Sequence, residues 1–426
     1  MSDGAGNSPL FEGIGNWILE QGLREATCDE IVQGMGRRLL AGGIPLYRLS
    51  VGSMILHPVF GAMSSIWDAD NDQIQTNMAP RELLATEEFQ TAPFFHLPSQ
   101  KISSLRQRLD QGPADPEFPI YDQLRAAGVT EYLAFSHSYG RTNEVKWADL
   151  PAGMEGIQVA YATRRIGGFA EHEVDYLNAL SFPLALALKT RTTHDLSNAL
   201  LDTYLGRYSG GHVLDGLIER GDGRSIDCVV WFCDLRNSTA MADEMPVDDY
   251  LRLLNDYFDC TAGAVMDHGG EVLKFIGDAV MAIFPIVEGS RPPADMCRAA
   301  VMAAREALSR MGRGDAGRAD MGQPPVRFGI SLHLGEVMYG NVGTRRRLDF
   351  TVIGPTVNEA ARLEGLCKPL NTPVTISKKF KDVFQGDLLS LGAHGIAGKK
   401  DDLEVFTLPE FAPAAGSGPA QADAPE

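Results

Sequence analysis

The spacing of apolar and polar positions divides the chain into two stretches with different rhythms. Residues 1–190 mix helical spacing, in LFEGIGNWILEQGL and CDEIVQGMGRRLLAGG, with strand-like runs, YRLSVGSMIL, TEYLAFSHSYG and GIQVAYATRR. A helix first, then several strands, then a closing helix after GGFAEHEVDYLNAL predicts an α+β domain. From Ala170 onward apolar residues recur at helical spacing, broken by Pro183 and by the Gly210 and Gly211 pair. Residues 191–221 are therefore expected to be a helical linker between an input and an output region, where packed helices have few alternative arrangements.

Beyond the linker the pattern is denser. IDCVVWFCD, beginning at Ile226, is a β-branched and aromatic run suited to a buried strand, and it stops on an acid, Asp234. Asn237, Ser238 and Thr239 follow as helix-capping residues, so the strand end delivers Asp234 to the mouth of a helix, where phosphates and their metals are welcome. Leu251, Leu254, Phe258 and Val265 form the stripe of a helix that Gly269 and Gly270 stop. EVLKFIGDAVMAIF reads as two short strands around Gly277 and Asp278, which sets a second carboxylate at a turn. Two acids on neighbouring strand ends suit magnesium, which takes one or two carboxylates plus substrate phosphates. VRFGISLHLGEVMYGNVG supplies a further strand and hairpin, and LDFTVIGPTVNEAARLEGLC a strand, a Gly-Pro turn and a helix. In that helix Asn358 and Arg362 stand four residues apart, on one face. Lys399 and Lys400 sit in a Gly-flanked turn before the last strand, and a lysine point charge suits a triphosphate. Residues Met311 to Pro325 carry turn and charged residues without periodicity and are expected to be a surface loop. Residues 409–426 are expected to be a disordered tail.

Composition narrows the function. With 56 acidic against 38 basic residues the net charge is −18, which argues against nonspecific binding to nucleic acid or to an anionic membrane. A nucleotide must then be met by local cations or metals. No apolar run approaches the ~20 residues that cross a bilayer, and MSDGAGNSPLFEG lacks a basic and an apolar leader region, so a cytoplasmic location is expected. Cys28, Cys228, Cys233, Cys260, Cys297 and Cys367 form no CxxC pair and are read as reduced core thiols. His57, His96 and His137 are read as structural residues rather than ligands.

FCDLRNST, LKFIGDAVMAIFP, HLGEVMYGNVG and DFTVIGPTVNEAARLE, in this order and spacing, resemble the catalytic domain of class III nucleotidyl cyclases over residues 222–408. The resemblance implies a ferredoxin-like antiparallel sheet with flanking helices. The 1–190 domain more loosely resembles a GAF-type sensor that answers an unknown small-molecule or protein signal. The family pattern makes Asp234 and Asp278 the metal-binding aspartates, with the backbone carbonyl of Leu235 as a further ligand, for two Mg2+ or Mn2+ ions per site. It makes Lys274 and Thr351 the pair that reads the adenine edge, and Asn358 and Arg362 the groups that orient the ribose and stabilise charge on the α-phosphate. Lys399 best matches the triphosphate-binding lysine, with Lys400 adjacent. Guanylate-forming relatives carry an acid in place of Lys274 and a small Cys or Ser in place of Thr351, so ATP is the expected substrate and cyclic AMP the product. Many relatives read GDTVN where this chain has Gly354 to Asn358, and Pro355 is expected to change the turn rather than remove the site. One cyclase domain bearing both residue sets implies a homodimer with two equivalent sites. The alternatives are a guanylate or dual-specificity cyclase, or a noncatalytic nucleotide-binding sensor.

Overall fold

The computed structural model describes residues 9–55, 59–139, 156–320, 323–395 and 402–413. The chain divides into two compact units, Met1–Leu200 and Leu201–Glu426.

The first unit is built on six strands: β1 (Arg48–Met54), β2 (Phe60–Asp68), β3 (Gln73–Pro80), β4 (Ser104–Arg108), β5 (Glu131–Ser138) and β6 (Gly156–Thr163). Their order is β3-β2-β1-β6-β5-β4, and every neighbour is antiparallel. Ahead of them lie α1 (Pro9–Leu23) and α2 (Cys28–Ala41). Thr27 and Glu30 form a reciprocal capping box that fixes the start of α2. Helices α1 and α2 and the early turns of α6 (Glu171–Leu205) share a core with the sheet that includes Ile18, Met35, Trp67, Tyr161 and Leu180. Between β3 and β5 come α3 (Glu87–Gln90), α4 (Pro93–Ser99) and α5 (Pro119–Ala126), and a second cluster joins Leu97, Tyr121 and Leu124 to Tyr132 and Ala160. His96 packs edge-on against Phe118, and His137 Nε2 lies 2.5 Å from Ser181 Oγ in a setting whose burial lowers its pKa, so both are structural. His57 lies outside the described residues.

In the second unit α7 (Arg207–Leu214) precedes β7 (Gly223–Leu235), α8 (Ser238–Glu244), α9 (Val247–Asp267), β8 (Glu271–Ile276), β9 (Ala279–Pro285) and α10 (Pro293–Asp320). Then follow β10 (Phe328–Thr344), β11 (Arg347–Ile353), α11 (Pro355–Gly365), β12 (Val374–Ser377), α12 (Lys378–Lys381), β13 (Leu389–His394) and β14 (Leu403–Thr407). The sheet runs β13-β14-β12-β10-β7-β9-β8, with β11 pairing β10 off this path. Only the β10–β12 pair is parallel among those described, which gives the antiparallel-dominated α+β sheet expected from the sequence. The run IDCVVWFCD becomes the central strand because β10 and β9 cover both its edges, while its alternate side chains feed two cores. Trp231, Cys233 and Leu332 join Tyr257 and Val265 of α9 and Ala300 and Ala304 of α10, whereas Val230, Tyr339 and Phe350 face Ala360 of α11. Leu332→Ala at the fully buried centre is expected to cost about 2–5 kcal/mol, read as a lower denaturation midpoint.

Three expectations need correction. Met311 to Asp320 are helical, not a loop: Met311 still packs on the core, and Asp315 and Arg318 tie the last turns to the return segment at Val326 and Pro324. Pro183 and the Gly210–Gly211 pair lie inside α6 and α7 instead of interrupting them. Buried Leu180 and Leu184 on either side of Pro183 hold α6 together against a local cost of about 3 kcal/mol. In α9 the buried stripe is Leu253, Tyr257, Thr261, Ala264 and Val265; Leu254 and Phe258 flank it and Leu251 is exposed. Lys399, Lys400 and the tail beyond Pro413 lie outside the described residues.

Candidate active site

The two predicted acids meet. Strand β7 pairs Cys233 with Val280 of β9, which places Asp234 one residue past the pair and Asp278 in the two-residue turn that opens β9. Gly277 permits that turn with φ +64. The Asp234 carboxyl is pushed up to about 6 by burial and then by the charge of the neighbouring Asp278. The Leu235 N–H and the Arg236 guanidinium pull in the other direction. Asn237 caps α8 in the left-handed conformation, without a side-chain bond to the helix.

A third acid, Glu364 of α11, extends the same negative field. Its carboxyl rises to about 7 through burial, countered by Arg236 and reinforced by Asp234 and Asp278. Arg236 Nη2 stands 3.4 Å from Glu364 Oε1, which is within ion-pairing range, yet that oxygen receives no hydrogen bond among the described groups. A carboxyl with a folded pKa above its ordinary 4.5 favours folding where it is protonated, so its contribution is fully present below about pH 4.5 and is lost as pH rises through about 7. Glu364→Gln is expected to flatten the fall in thermal stability over that window, measured by melts in chelator.

Oxygen ligands crowded together with surplus negative charge suit a hard divalent cation. Asp234 and Asp278 would hold it, with the Leu235 carbonyl at the same strand end. Among the described residues no group of three or more His, Cys, Asp or Glu gathers around one point. The donor set is thus the small one magnesium uses when substrate oxygens and water complete its shell.

The other predicted residues occupy two neighbouring places. Lys274, on β8 beyond a bulge at Val272, pairs with Asp349 of β11. Thr351, two residues along β11, is buried, and its hydroxyl has no hydrogen-bond partner among the described groups. Asn358 and Arg362 project from the exposed face of α11. The opposite face of that helix is pinned to β10: Ser331 Oγ donates to the Ala360 carbonyl at 2.7 Å, Thr356 Oγ1 donates to the Glu336 carbonyl at 2.6 Å, and Glu359 lies 3.4 Å from His333. Pro355 takes the first helical position after Gly354, so the altered turn leaves α11 intact. Asp349 and Glu364 were not singled out from the sequence. A strand acid and a helix acid carry no short-range mark of partners 75 and 128 residues away.

The family described as "Adenylate and Guanylate cyclase catalytic domain" matches residues 223–408. An adenylate cyclase of Anabaena cylindrica is 35% identical over 162 residues, covering 38% of this chain and 31% of the relative. Adenylate cyclase 1 of Rhizobium meliloti strain 1021 is 34% identical over 183 residues, covering 42% of this chain and 26% of the relative. The matches thus span a third or less of those relatives' own lengths. A bacterial light-regulated adenylyl cyclase of known structure is 27% identical, with a TM-score of 0.44, covering 55% of this chain and 64% of that one. By these matches residues 223–408 are similar to adenylate and guanylate cyclase catalytic domains. No described helix is long and apolar enough to cross a membrane.

Proposed function

We propose that the chain is an adenylate cyclase, converting ATP to 3′,5′-cyclic AMP and pyrophosphate in a homodimer controlled by its N-terminal unit. The observation that carries the choice of ATP is the buried Thr351 hydroxyl, without a hydrogen-bond partner among the described groups and two residues along β11 from the Asp349 that pairs with Lys274. A lysine can only donate, which meets an adenine ring nitrogen, and the hydroxyl can accept from the exocyclic amine. Guanine presents the reverse pattern at that edge.

The ribose 3′-hydroxyl attacks the α-phosphorus, its bond to the bridging oxygen breaks, and pyrophosphate leaves in line. When bound at Asp234 and Asp278, Mg2+ or Mn2+ supplies Lewis acidity toward the 3′-oxygen and neutralises phosphate charge. Asn358 orients the ribose and Arg362 stabilises the charge that develops on the α-phosphate. Lys399, with Lys400 beside it, is assigned to the triphosphate.

The homodimer reading has a physical support. Phe275 and Ile276 on β8, Met338 and Val342 on β10 and Ile353 on β11 are exposed large apolar side chains on the two hairpins that carry the site residues. A second copy would remove that surface from water, and by twofold symmetry would bring the acids of one copy to Lys274, Thr351, Asn358 and Arg362 of the other. The N-terminal unit is assigned a GAF-like sensing role, with a small molecule or protein as its signal. Incubating the purified chain with ATP or GTP and either metal, then separating the products, tests the assignment: cyclic AMP as the main product is expected, and cyclic GMP in excess, or no cyclic product, would overturn it.

A further inference from the structure

We propose that Glu271 is a positioning residue, latching the helix that enters the cyclase unit to the hairpin that bears Lys274 and Asp278. The inference rests on the assignment of those two residues to the site. Helix α7 has no cap of its own, since Gly206 at its N-cap has no side chain to offer. A carboxylate from far along the chain fills that place: Ser209 N donates to Glu271 Oε1 at 2.8 Å and Ser209 Oγ donates to the same oxygen at 2.6 Å. The Tyr339 hydroxyl of β10 lies 3.2 and 3.3 Å from the two Glu271 oxygens and 2.7 Å from Ser209 Oγ. All three side chains are buried. Backbone and carboxylate approach so closely that a Cβ at Gly206, where φ is +86, would stand 3.2 Å from Glu271 Oε1. A negative charge at a helix N-terminus also meets the favourable end of the helix dipole.

The latch has leverage because of where Glu271 stands. It opens β8, the edge strand of the sheet, which pairs with β9 alone along the strand path. Three residues on, past a bulge that re-aims the strand, comes Lys274, and the turn that follows holds Asp278. Next to the latch is a cavity of about 650 Å3 lined by Gly206, Arg207, His212, Val272 and Arg291 as well as Glu271. One side of α7 therefore faces open space, while Tyr208 and Val213 pack its other side on the core that includes Tyr339 and Phe350. A displacement of α7 would pull on the start of β8 through Glu271 and re-aim the hairpin tip.

Steady-state kinetics and amide hydrogen exchange on the full chain test this, with Ser209→Ala, Glu271→Ala and Glu271→Gln. Ser209→Ala and Glu271→Ala are expected to lower kcat about tenfold and to speed exchange both across 207–214 and across 272–278. Glu271→Gln keeps the Oε1 acceptor and is expected to recover most of the activity and protection. The Ser209→Ala/Glu271→Ala double variant is expected to be no worse than Glu271→Ala, because both members belong to one unit. Faster exchange confined to 207–214, with kcat within about twofold of the parent, would overturn the latch while leaving the cyclase assignment standing. If the parent chain forms no cyclic nucleotide the assignment itself fails, and exchange across 272–278 alone then decides the latch.

Discussion

Replacing Asp278 with alanine is expected to cut cyclic-nucleotide production by about a thousandfold or more, and to leave the fold in place. The side chain sits in a turn, partly buried, and it faces Asp234, a like charge. Removing it takes away half of the carboxylate set that would hold the cations, while no buried apolar contact is lost. The same change relieves strain elsewhere. Asp234 has a folded pKa of about 6 against an ordinary 3.8, so its protonated form is the one the fold prefers, and the stability it contributes below about pH 4 is lost as pH rises through 6. With the neighbouring charge gone, the Asp234 carboxyl should drop toward its ordinary range. The variant should then melt higher than the parent in metal-free buffer above pH 6, and Asp278→Asn should do the same. Added metal should raise the melting temperature of the parent and not that of either variant. Retention of a tenth or more of the parent activity, measured by separating the nucleotide products, would remove Asp278 from the site.

That pair could be found in the sequence because each acid terminates a pattern. IDCVVWFCD has the unbroken apolar run of a strand flanked on both edges, and Gly277 with Asp278 has the composition of a tight turn between two apolar runs. Asn358 and Arg362 could be found for a similar reason, since helical spacing alone puts them on one side of α11. The groups that escaped notice are those whose role depends on pairing across the fold. Glu364 resembles a solvated helix acid until α11 is laid on β7 and β10, which turns it inward toward Arg236. Glu271 follows two glycines and looks like a loop residue until Ser209 and Tyr339 close over it. In the first unit β3 and β4 form the sheet's two edges and are largely polar, so neither shows the strand-like run seen in β1, β5 and β6. Over 311–320 the local signal misleads in the other direction: glycines and charges suggest a loop, and tertiary contacts at Met311, Asp315 and Arg318 outweigh that signal.

The base-reading pair offers the second large effect. Lys274→Glu with Thr351→Cys is expected to lower the ratio of ATP to GTP turnover by about a hundredfold, because donor and acceptor then exchange places at the purine edge. Asp349 governs how that exchange plays out. In the parent it pairs with Lys274 and stands two residues along β11 from Thr351, whose hydroxyl has no partner among the described groups. A carboxylate introduced at position 274 would meet Asp349 as a like charge in a setting only about a third exposed on the lysine side. The new acid would turn away or take up a proton, so Lys274→Glu alone should lose ATP turnover and gain little with GTP. Adding Asp349→Asn removes the opposing charge while keeping an acceptor oxygen, and should release the GTP activity that the double change leaves suppressed. Competition assays with both nucleotides present give the ratio directly, as the quotient of kcat/KM values. If the ratio stays within about threefold of the parent in the triple variant, Lys274 and Thr351 do not read the base, and the ion pair with Asp349 is a structural tie between β8 and β11.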